Sequence, residues 1–305
     1  MRIVFAGTPD VALPTLDALL DSEHDVTAVL TRPDAPAGRG RRLLPSTVAE
    51  YARTRGLPVL TPESLRDENA RASLAALDAD LGVVVAYGAL VPPAVLGIPR
   101  HGWVNLHFSL LPAWRGAAPV QHAIWHGDSE TGVSVFLLEE GLDTGPVFAQ
   151  RRHTVDPTQT SGDVLAELAE VGASVVMEVV SGIAQGTAKA VPQSIEGVSV
   201  APRITVDQAR IDWHASSALI DRQVRACTPQ PGAWTTVDGV RVRIGPVTPS
   251  TEPLPAGVIR LLGGEIRVGT GDGHVALGWV QPAGRARMAS ADWWRGLRVS
   301  EVACD

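Results

Sequence analysis

Short apolar runs alternate with segments of helical periodicity through about the first 190 residues of the chain. Runs of strand length predict β-strands at residues 3–6, 26–30, 58–60 and 81–86. Helical spacing predicts helices at residues 11–20, 47–55 and 73–80. This alternation predicts an α/β fold with a doubly wound, Rossmann-like, mostly parallel sheet that binds ligands at the carboxyl ends of its strands.

The periodicity is lost over residues 186–205, where several prolines and glycines predict a linker. Thr205 and Gln208 have the spacing of a capping box before a short helix, and a longer helix is predicted at Ser217–Ala226. Short strands separated by Gly-containing turns follow, a pattern typical of a small, OB-like β-barrel. The predicted segments are an α/β catalytic domain over 1–188, a linker over 189–205 and a C-terminal β-barrel domain over 206–305.

The charges are divided unevenly along the chain. All 305 residues together carry a formal net charge of −7. Residues 1–202 hold 14 Lys and Arg against 23 Asp and Glu, whereas residues 203–305 hold 12 against 10. The mildly basic C-terminal part is a weak indication of a polyanionic partner.

The apolar runs predict neither a secretion signal nor a membrane span. The first run meets a turn within seven residues, and no run approaches the ~18 residues that a membrane span needs. Cys227 and Cys304 are too few for a disulfide framework or a thiolate metal site, and the histidines lack metal-ligand spacing. We therefore expect a cytoplasmic protein that holds no metal. We separately expect a monomer.

Three polar residues form the most informative group in the sequence. Asn105 and His107 are two residues apart on a predicted strand, so their side chains point to the same face. Asp143 lies between two glycines in a predicted loop, and a carboxylate close to an imidazole favours the imidazolium form. Such a group can activate an electrophile: Asn105 and His107 donate to a developing oxyanion, while Asp143 orients the histidine and accepts a proton.

Each motif taken alone has a simpler interpretation. An Asn-x-His pair on a strand is more often structural than catalytic, and Gly-x-Asp-x-Gly is commonly only a turn. The arginines at 39, 41 and 42 lie in a Gly/Pro-rich segment that in isolation is typical of a solvated loop. The first turn, residues 5–10, lacks the full G-x-G-x-x-G pattern, which argues against a nicotinamide cofactor.

Several separated segments, in the same order, resemble those of the methionyl-tRNA formyltransferases and related enzymes that use 10-formyltetrahydrofolate. The most specific is Ser-Leu-Leu-Pro-Ala-Trp-Arg-Gly at residues 109–116. The other segments are Phe-Ala-Gly-Thr-Pro-Asp at 5–10, Arg-Pro-Asp-Ala-Pro-Ala-Gly-Arg-Gly at 32–40, Val-Val-Val-Ala-Tyr-Gly at 83–88, Ala-Arg-Ile-Asp-Trp at 209–213 and Gln-Pro-Ala-Gly at 281–284. The resemblance covers nearly the whole chain and implies a formyltransferase fold and activity.

The resemblance also implies roles for individual residues. The implied catalytic residues are Asn105, His107 and Asp143. The implied folate contacts are Val85, Tyr87, Gly88, Ser109, Leu110, Leu111 and Pro112. The implied tRNA contacts are Arg39, Arg41, Arg42 and Arg203. Folate is then a co-substrate rather than a tightly bound cofactor, and the partner is charged initiator tRNA. Phe108 departs from the family, where a small residue usually follows the histidine.

The identity of the formyl acceptor has more than one interpretation. A glycinamide ribonucleotide formyltransferase would normally end near residue 200, whereas amino-sugar nucleotide formyltransferases also carry a C-terminal domain and remain the enzymatic alternative. The non-enzymatic alternative is a tRNA-binding protein on a decayed formyltransferase scaffold, which the presence of Asn105, His107 and Asp143 disfavours. The arginine-bearing loop and the C-terminal domain favour tRNA.

Overall fold

The computed structural model describes residues 1–37 and 42–305, which divide into two compact units. The first unit comprises Met1–Gly116, Thr131–His153 and Leu165–Val200. The second comprises Ala117–Glu130, Thr154–Val164 and Ala201–Asp305. Each unit is thus assembled from three separate stretches of chain. The predicted domain boundaries at residues 188 and 206 stay a prediction, because compactness alone does not test independent folding.

Seven strands form the large sheet, in the order β5-β2-β1-β6-β7-β8-β9, and β3 and β4 pair in a separate two-stranded sheet. The strands are β1 (Arg2–Gly7), β2 (Asp25–Leu30), β3 (Ala35–Ala37), β4 (Arg42–Leu44), β5 (Val59–Leu60), β6 (Leu81–Val85), β7 (Trp103–His107), β8 (Glu130–Leu137) and β9 (Val147–Thr154). Strands β5, β2, β1, β6 and β7 run parallel, and β8 is antiparallel to β7. Successive strands lie on both sides of β1, which confirms the doubly wound, mostly parallel sheet.

Six α-helices lie within the described residues of this part of the chain, and two of them illustrate local capping chemistry. They are α1 (Leu13–Leu20), α2 (Thr47–Thr54), α3 (Glu68–Ala75), α4 (Pro93–Leu96), α5 (Pro119–His126) and α6 (Ser161–Ala184). The Ser46 hydroxyl accepts a hydrogen bond from the Ala49 amide at 3.0 Å and so caps α2. Helix α5 starts at Pro119 and ends at His126, and the next residue, Gly127, caps it with a left-handed φ of +84°. No helix within the described ranges is both long and apolar enough to cross a membrane.

The beginning of β7 is fixed by the buried indole of Trp103. Its Nε1 donates to the carbonyl oxygen of Val95 at 2.9 Å, so the ring satisfies its polar group inside the core. The ring lies against Gly82 of β6, where an added Cβ would come within 2.1 Å of it. This anchor sets the position of β7, which carries Asn105 and His107.

The second unit contains two antiparallel sheets, with strand orders β10-β11-β16-β17 and β12-β15-β14-β13-β18. The strands are β10 (Trp234–Val237), β11 (Val240–Ile244), β12 (Val247–Ser250), β13 (Val258–Leu262), β14 (Glu265–Gly269), β15 (His274–Leu277), β16 (Trp279–Pro282), β17 (Met288–Ala289) and β18 (Glu301–Ala303). Helices α7 (Ser217–Ala226) and α8 (Ser290–Leu297) pack on the same apolar core, which includes Trp213, Ile220 and Trp294. The two antiparallel sheets confirm the predicted succession of short strands in the C-terminal part, and α7 confirms the helix predicted at Ser217–Ala226.

Two local predictions are wrong. The helix predicted at residues 73–80 is α3, which runs over Glu68–Ala75 and cannot continue because Asp78 has a left-handed φ of +46°. The capping box does form: Thr205 N donates to Gln208 Oε1 at 2.9 Å, and Gln208 N donates to Thr205 Oγ1 at 3.2 Å. These bonds close a turn and not the expected helix.

Candidate active site

Strand β7 presents Asn105 and His107 where the parallel part of the sheet ends. Asn105 lies beside Val84 of the parallel strand β6, and His107 lies opposite Ser134 of the antiparallel strand β8. Alternation along the strand places Asn105 and His107 on the same face, as their spacing predicts. Asn105 is partly exposed and His107 is 5% exposed. An accessible amide therefore lies next to a buried imidazole.

His107 is held between a carbonyl group and a carboxylate. Its Nε2 lies 2.9 Å from the main-chain oxygen of Trp114, and its Nδ1 lies 3.7 Å from Oδ2 of Asp143. A carbonyl oxygen can only accept, so Nε2 carries the hydrogen and donates it to Trp114. In the neutral ring Nδ1 then has no hydrogen and turns its lone pair towards the carboxylate. A proton taken up at Nδ1 is stabilised by the Asp143 carboxylate and by the Trp114 carbonyl group.

Burial lowers the pKa of His107 below its ordinary value. This effect is larger than the opposing effects of the Asp143 charge and of the hydrogen bond to Trp114, both of which favour the cation. The lowered pKa favours the neutral imidazole in the resting site, and the predicted imidazolium form stays a prediction for the reacting site. The carboxylate does favour protonation, but the cost of desolvating a cation is greater.

The Asp143 side chain is fixed by a main-chain amide. Its Oδ2 accepts a hydrogen bond of 2.8 Å from Gly116 N. Asp143 itself has a left-handed φ of +52°, which aspartate adopts more readily than most residues. Because the run 109–116 supplies both Gly116 N and the Trp114 carbonyl, it holds the carboxylate and the imidazole together.

Both glycines that flank Asp143 are required by the lack of space around them. A Cβ on Gly145 would lie 1.8 Å from the carbonyl oxygen of Leu137, and one on Gly141 would lie 2.0 Å from Oγ1 of Thr144. Neither glycine has a positive φ, so the unusual backbone angle belongs to Asp143. The two glycines let the loop pack closely, including against the end of β8. They are not needed for the backbone freedom that the sequence suggests.

Two side chains that sequence reasoning missed support the loop of Asp143. The amide nitrogen of Gln193 donates to the main-chain oxygens of Asp143 and Gly145, both at 2.8 Å. The amide oxygen of Gln193 accepts from Nε and Nη2 of Arg115 at 3.1 and 2.6 Å. Arg115 belongs to the motif at 109–116, but Gln193 lies 50 residues beyond Asp143, and no sequence spacing connects them.

The segment predicted to contact folate continues directly from β7 and is held by side chains of β8 and β9. The Ser134 hydroxyl donates to the carbonyl oxygen of Ser109 at 2.6 Å and accepts from Leu111 N at 3.0 Å. The amide of Gln150 donates to the carbonyl oxygen of Leu111 at 2.8 Å. The buried side chains of Ser109 and Leu111 are thus part of a fixed turn at the edge of the sheet.

The other predicted folate contacts differ in what they can offer a ligand. Val85 and Tyr87 have their side chains in the apolar core, 0% and 2% exposed, so only their main-chain groups could meet a ligand. Gly88 is exposed and has a φ of +81°. Leu110 and Pro112 are partly exposed. The main chain around Gly88 is the most accessible part of this set.

The predicted tRNA contacts are described only in part. Arg42 is exposed on β4 in the first unit, and Arg203 is exposed in the second. Arg39 and Arg41 lie outside the described residues. The structure therefore brings His107 and Asp143 together beside Asn105, whereas for the arginines it establishes only the solvent exposure of two of them.

Within residues 1–37 and 42–305, no group of three or more His, Cys, Asp or Glu side chains is arranged to hold a metal ion. Both cysteines, Cys227 and Cys304, are buried. Burial raises the pKa of each thiol to about 12. Neither thiol is therefore a nucleophile at neutral pH, because reactivity requires the thiolate.

Two family models match the chain. The formyl transferase model matches residues 1–180, and the formyl transferase C-terminal domain model matches residues 203–298. The chain therefore belongs to the formyl transferase family. This confirms the resemblance found in the sequence.

Individual relatives share either the sequence or the fold. The methionyl-tRNA formyltransferase of Nocardioides sp. is 54% identical over 303 residues, which cover 98% of this chain and 96% of that protein. HypX from Aquifex aeolicus, in complex with tetrahydrofolic acid, has a TM-score of 0.70 at 20% identity; the match covers 96% of this chain and 46% of HypX. The N-formyltransferase from Helicobacter canadensis, in complex with folinic acid and dTDP-3-aminofucose, has a TM-score of 0.66 at 18% identity. The match covers 92% of this chain and 99% of that protein. At such identities these two structures establish the fold alone.

Proposed function

We propose that this chain transfers the formyl group of 10-formyltetrahydrofolate to the free amino group of methionyl initiator tRNA, which yields N-formylmethionyl-tRNA for translation initiation. Sequence support comes from the 54% identity over 98% of the chain to a methionyl-tRNA formyltransferase. The structural observation that carries the proposal is the pairing of His107 Nδ1 with Asp143 Oδ2 at 3.7 Å, on the sheet edge that also presents Asn105.

Formyl transfer to an amine passes through a tetrahedral intermediate that carries an oxyanion. The partly exposed amide of Asn105 is a suitable donor to this oxyanion. His107 stabilises the oxyanion by its positive charge as the reaction proceeds, because its Nε2 already donates to Trp114 and its Nδ1 faces Asp143. The developing negative charge raises the pKa of the imidazole in the same direction as Asp143 does, so the ring takes up the proton that the attacking amine releases through Asp143.

The attacking amine must lose a proton after the new C–N bond has formed. Asp143 accepts it, directly or through a water molecule, while its position is held by Gly116 N. The bond between the formyl carbon and N10 then breaks, and N10 keeps the electron pair and recovers a proton to give tetrahydrofolate. One proton is lost by the amine and one is gained by N10, so the transfer balances. The amine attacks the formyl carbon directly, and no covalent enzyme intermediate is needed.

The folate is a consumed co-substrate in this proposal, and no tightly bound cofactor takes part. A pterin ring has hydrogen-bond donors and acceptors along its edge. The main chain at the end of β6 has positive φ at Ala86 and Gly88 and is exposed at Gly88, where we propose that it meets this edge. The buried side chains of Val85 and Tyr87 anchor this segment in the core.

The tRNA contacts are proposed at Arg39, Arg41, Arg42 and Arg203. Arginine binds phosphate oxygens with two parallel hydrogen bonds, and the described members, Arg42 and Arg203, are exposed. Their contribution is to bring the acceptor end of the tRNA to the site and not to take part in the chemistry. The monomeric state and the cytoplasmic location stay predictions.

An amino-sugar nucleotide is the alternative formyl acceptor. The N-formyltransferase from Helicobacter canadensis shares the fold at 18% identity, and this likeness says nothing of the acceptor used here. A tRNA-binding protein without activity is disfavoured, because the buried His107 and the partly buried Asp143 keep an arrangement that binding alone would not need.

A panel of amines tests the proposal. The protein is incubated with 10-formyltetrahydrofolate and charged initiator tRNA, glycinamide ribotide or an amino-sugar nucleotide, and the formylated product is identified by mass spectrometry. We expect formylation of the charged tRNA only, and its loss in Asp143→Asn. The assignment would be overturned if the sugar nucleotide were formylated while tRNA, whether charged or uncharged, was left unmodified.

A further inference from the structure

A segment in the predicted linker, residues 191–200, is fastened at both ends to the first unit; we call it the strap. At one end Val191 and Val147 exchange two main-chain hydrogen bonds of 2.8 and 2.9 Å. At the other end the carbonyl oxygen of Ser199 accepts from Arg115 N at 2.9 Å. These contacts within the unit give the strap a defined course.

Between these ends, Gln193 of the strap holds the main chain of the Asp143 loop. Its one amide nitrogen supplies two N–H groups, which donate to the carbonyl oxygens of Asp143 and Gly145 at 2.8 Å each. The carboxylate of Asp143 is held separately by Gly116 N. The residue is thus fixed at its backbone and at its side chain by different partners.

Arg115 determines which way the amide of Gln193 faces. A guanidinium group can only donate, and carbonyl oxygens can only accept, so the amide oxygen must point to Arg115 and the amide nitrogen to the loop. If the Gln193 amide were flipped, its N–H donors would face the N–H donors of the Arg115 guanidinium. Its oxygen would then face the two loop carbonyl oxygens, which can only accept. The chain Arg115–Gln193–Asp143 therefore has one arrangement in which every hydrogen bond is satisfied.

We propose that Gln193 is a positioning residue for formyl transfer: with Arg115, it holds Asp143 at the distance and orientation from His107 that the reaction requires. This inference rests on the proposed function. It follows from the left-handed backbone of Asp143, which local sequence alone does not stabilise and which the two hydrogen bonds from Gln193 fix. A displacement of about 1 Å at a reacting group costs about 10²-fold in rate.

A structural role and a positioning role predict different results. If Gln193 only fastened the strap, its loss would lower thermal stability or raise KM for tRNA, and the electrostatic coupling of His107 to Asp143 would persist. If Gln193 positions Asp143, its loss lowers kcat with little change in KM and weakens that coupling.

Two substitutions and a neighbouring control separate these roles. Gln193→Ala removes all four hydrogen bonds, whereas Gln193→Glu keeps the acceptor for Arg115 and removes the two N–H groups that reach the loop. Ser194→Ala is the control, because the Ser194 hydroxyl accepts from Glu196 N inside the strap. For each variant kcat, both KM values, the melting temperature and the NMR titration of His107 are measured.

We expect Gln193→Ala and Gln193→Glu each to lower kcat by about 10- to 100-fold, with both KM values near those of the wild type. Gln193→Ala should also move the pKa of His107 downward, in the direction of Asp143→Asn, and Ser194→Ala should match the wild type. The new negative charge of Gln193→Glu acts on this pKa in the upward direction, so kcat is the readout for that variant. Wild-type kcat in Gln193→Glu, or a loss of kcat with an unchanged His107 titration in Gln193→Ala, would overturn the inference. If Gln193→Ala does not fold, Gln193→Glu decides. The titration needs no substrate, so it decides the positioning role even if methionyl-tRNA is not the acceptor.

Discussion

The Oδ2 atom of Asp143 lies 3.7 Å from Nδ1 of His107 and accepts a hydrogen bond of 2.8 Å from Gly116 N. The main chain thus holds the carboxylate too far from the ring for a direct hydrogen bond, yet near enough for strong electrostatic coupling at a buried site. This relationship lets a buried imidazole rest in its neutral form and gain a proton when negative charge develops beside it.

The first prediction concerns that coupling. Asp143→Asn keeps the size of the side chain but removes its charge and its ability to accept the amine's proton. Since Asp143 raises the pKa of His107 against the larger lowering by burial, the variant should move this pKa further down. Loss of the proton acceptor should lower kcat by at least about 10²-fold. The checks are an NMR titration of His107 and a steady-state assay; an unchanged titration would show that the two groups are not coupled.

The second prediction concerns stability at acid pH. Folding lowers the pKa of His107 from 6.5, so just below that pH the unfolded chain binds more protons, and stability falls as pH decreases through about 6.5. His107→Gln should reduce this loss, measured by urea unfolding between about pH 5 and pH 7. His24 and His122, whose pKa values burial also lowers, leave part of the slope in place. The control is His101→Gln at an exposed histidine; equal slopes in the wild type and His107→Gln would contradict the prediction.

The fold was largely predictable from the sequence, because its strands are marked locally. The strand predicted to carry Asn105 and His107 is observed as β7, which begins after Gly102 with its left-handed φ of +71°. The sequence predicted which residues form the candidate site, but it predicted neither the protonation of His107 nor the role of Gln193. The neutral state of His107 depends on burial by chain segments distant in sequence, and the role of Gln193 depends on contacts made 50 residues away. No local pattern carries either kind of information.

The third prediction concerns the close approach of the Asp143 loop. In Gly145→Ala the new Cβ would meet the carbonyl oxygen of Leu137 at 1.8 Å, so the loop must shift. We expect a loss of about 1–3 kcal/mol in the free energy of unfolding, as for other overpacked sites, together with a fall in kcat. Gly97→Ala is the matched control, because a Cβ there meets nothing within 4 Å and its φ is −93°. Activity and stability like those of Gly97→Ala would rule out the steric argument.

The fourth prediction concerns the exposed arginines. If Arg42 and Arg203 contact tRNA phosphates, Arg42→Ala and Arg203→Ala should each raise KM for charged initiator tRNA and leave KM for the folate unchanged. Each variant should also flatten the dependence of log affinity on log salt concentration by about one unit. Fluorescence binding titrations at several salt concentrations measure this slope. Slopes equal to that of the wild type would remove these two residues from the proposed tRNA contacts.

The most direct test of the account is the rate of formyl transfer by Asn105→Ala, measured in a single turnover with labelled 10-formyltetrahydrofolate and methionyl initiator tRNA. Asn105 is the accessible member of the site, and its amide is the proposed donor to the oxyanion. Removing one such donor typically costs about 10²–10³-fold in rate. We predict a loss of that size, with folate binding and thermal stability retained. A variant that kept more than about a tenth of the wild-type rate would contradict the oxyanion role and, with it, the proposed mechanism.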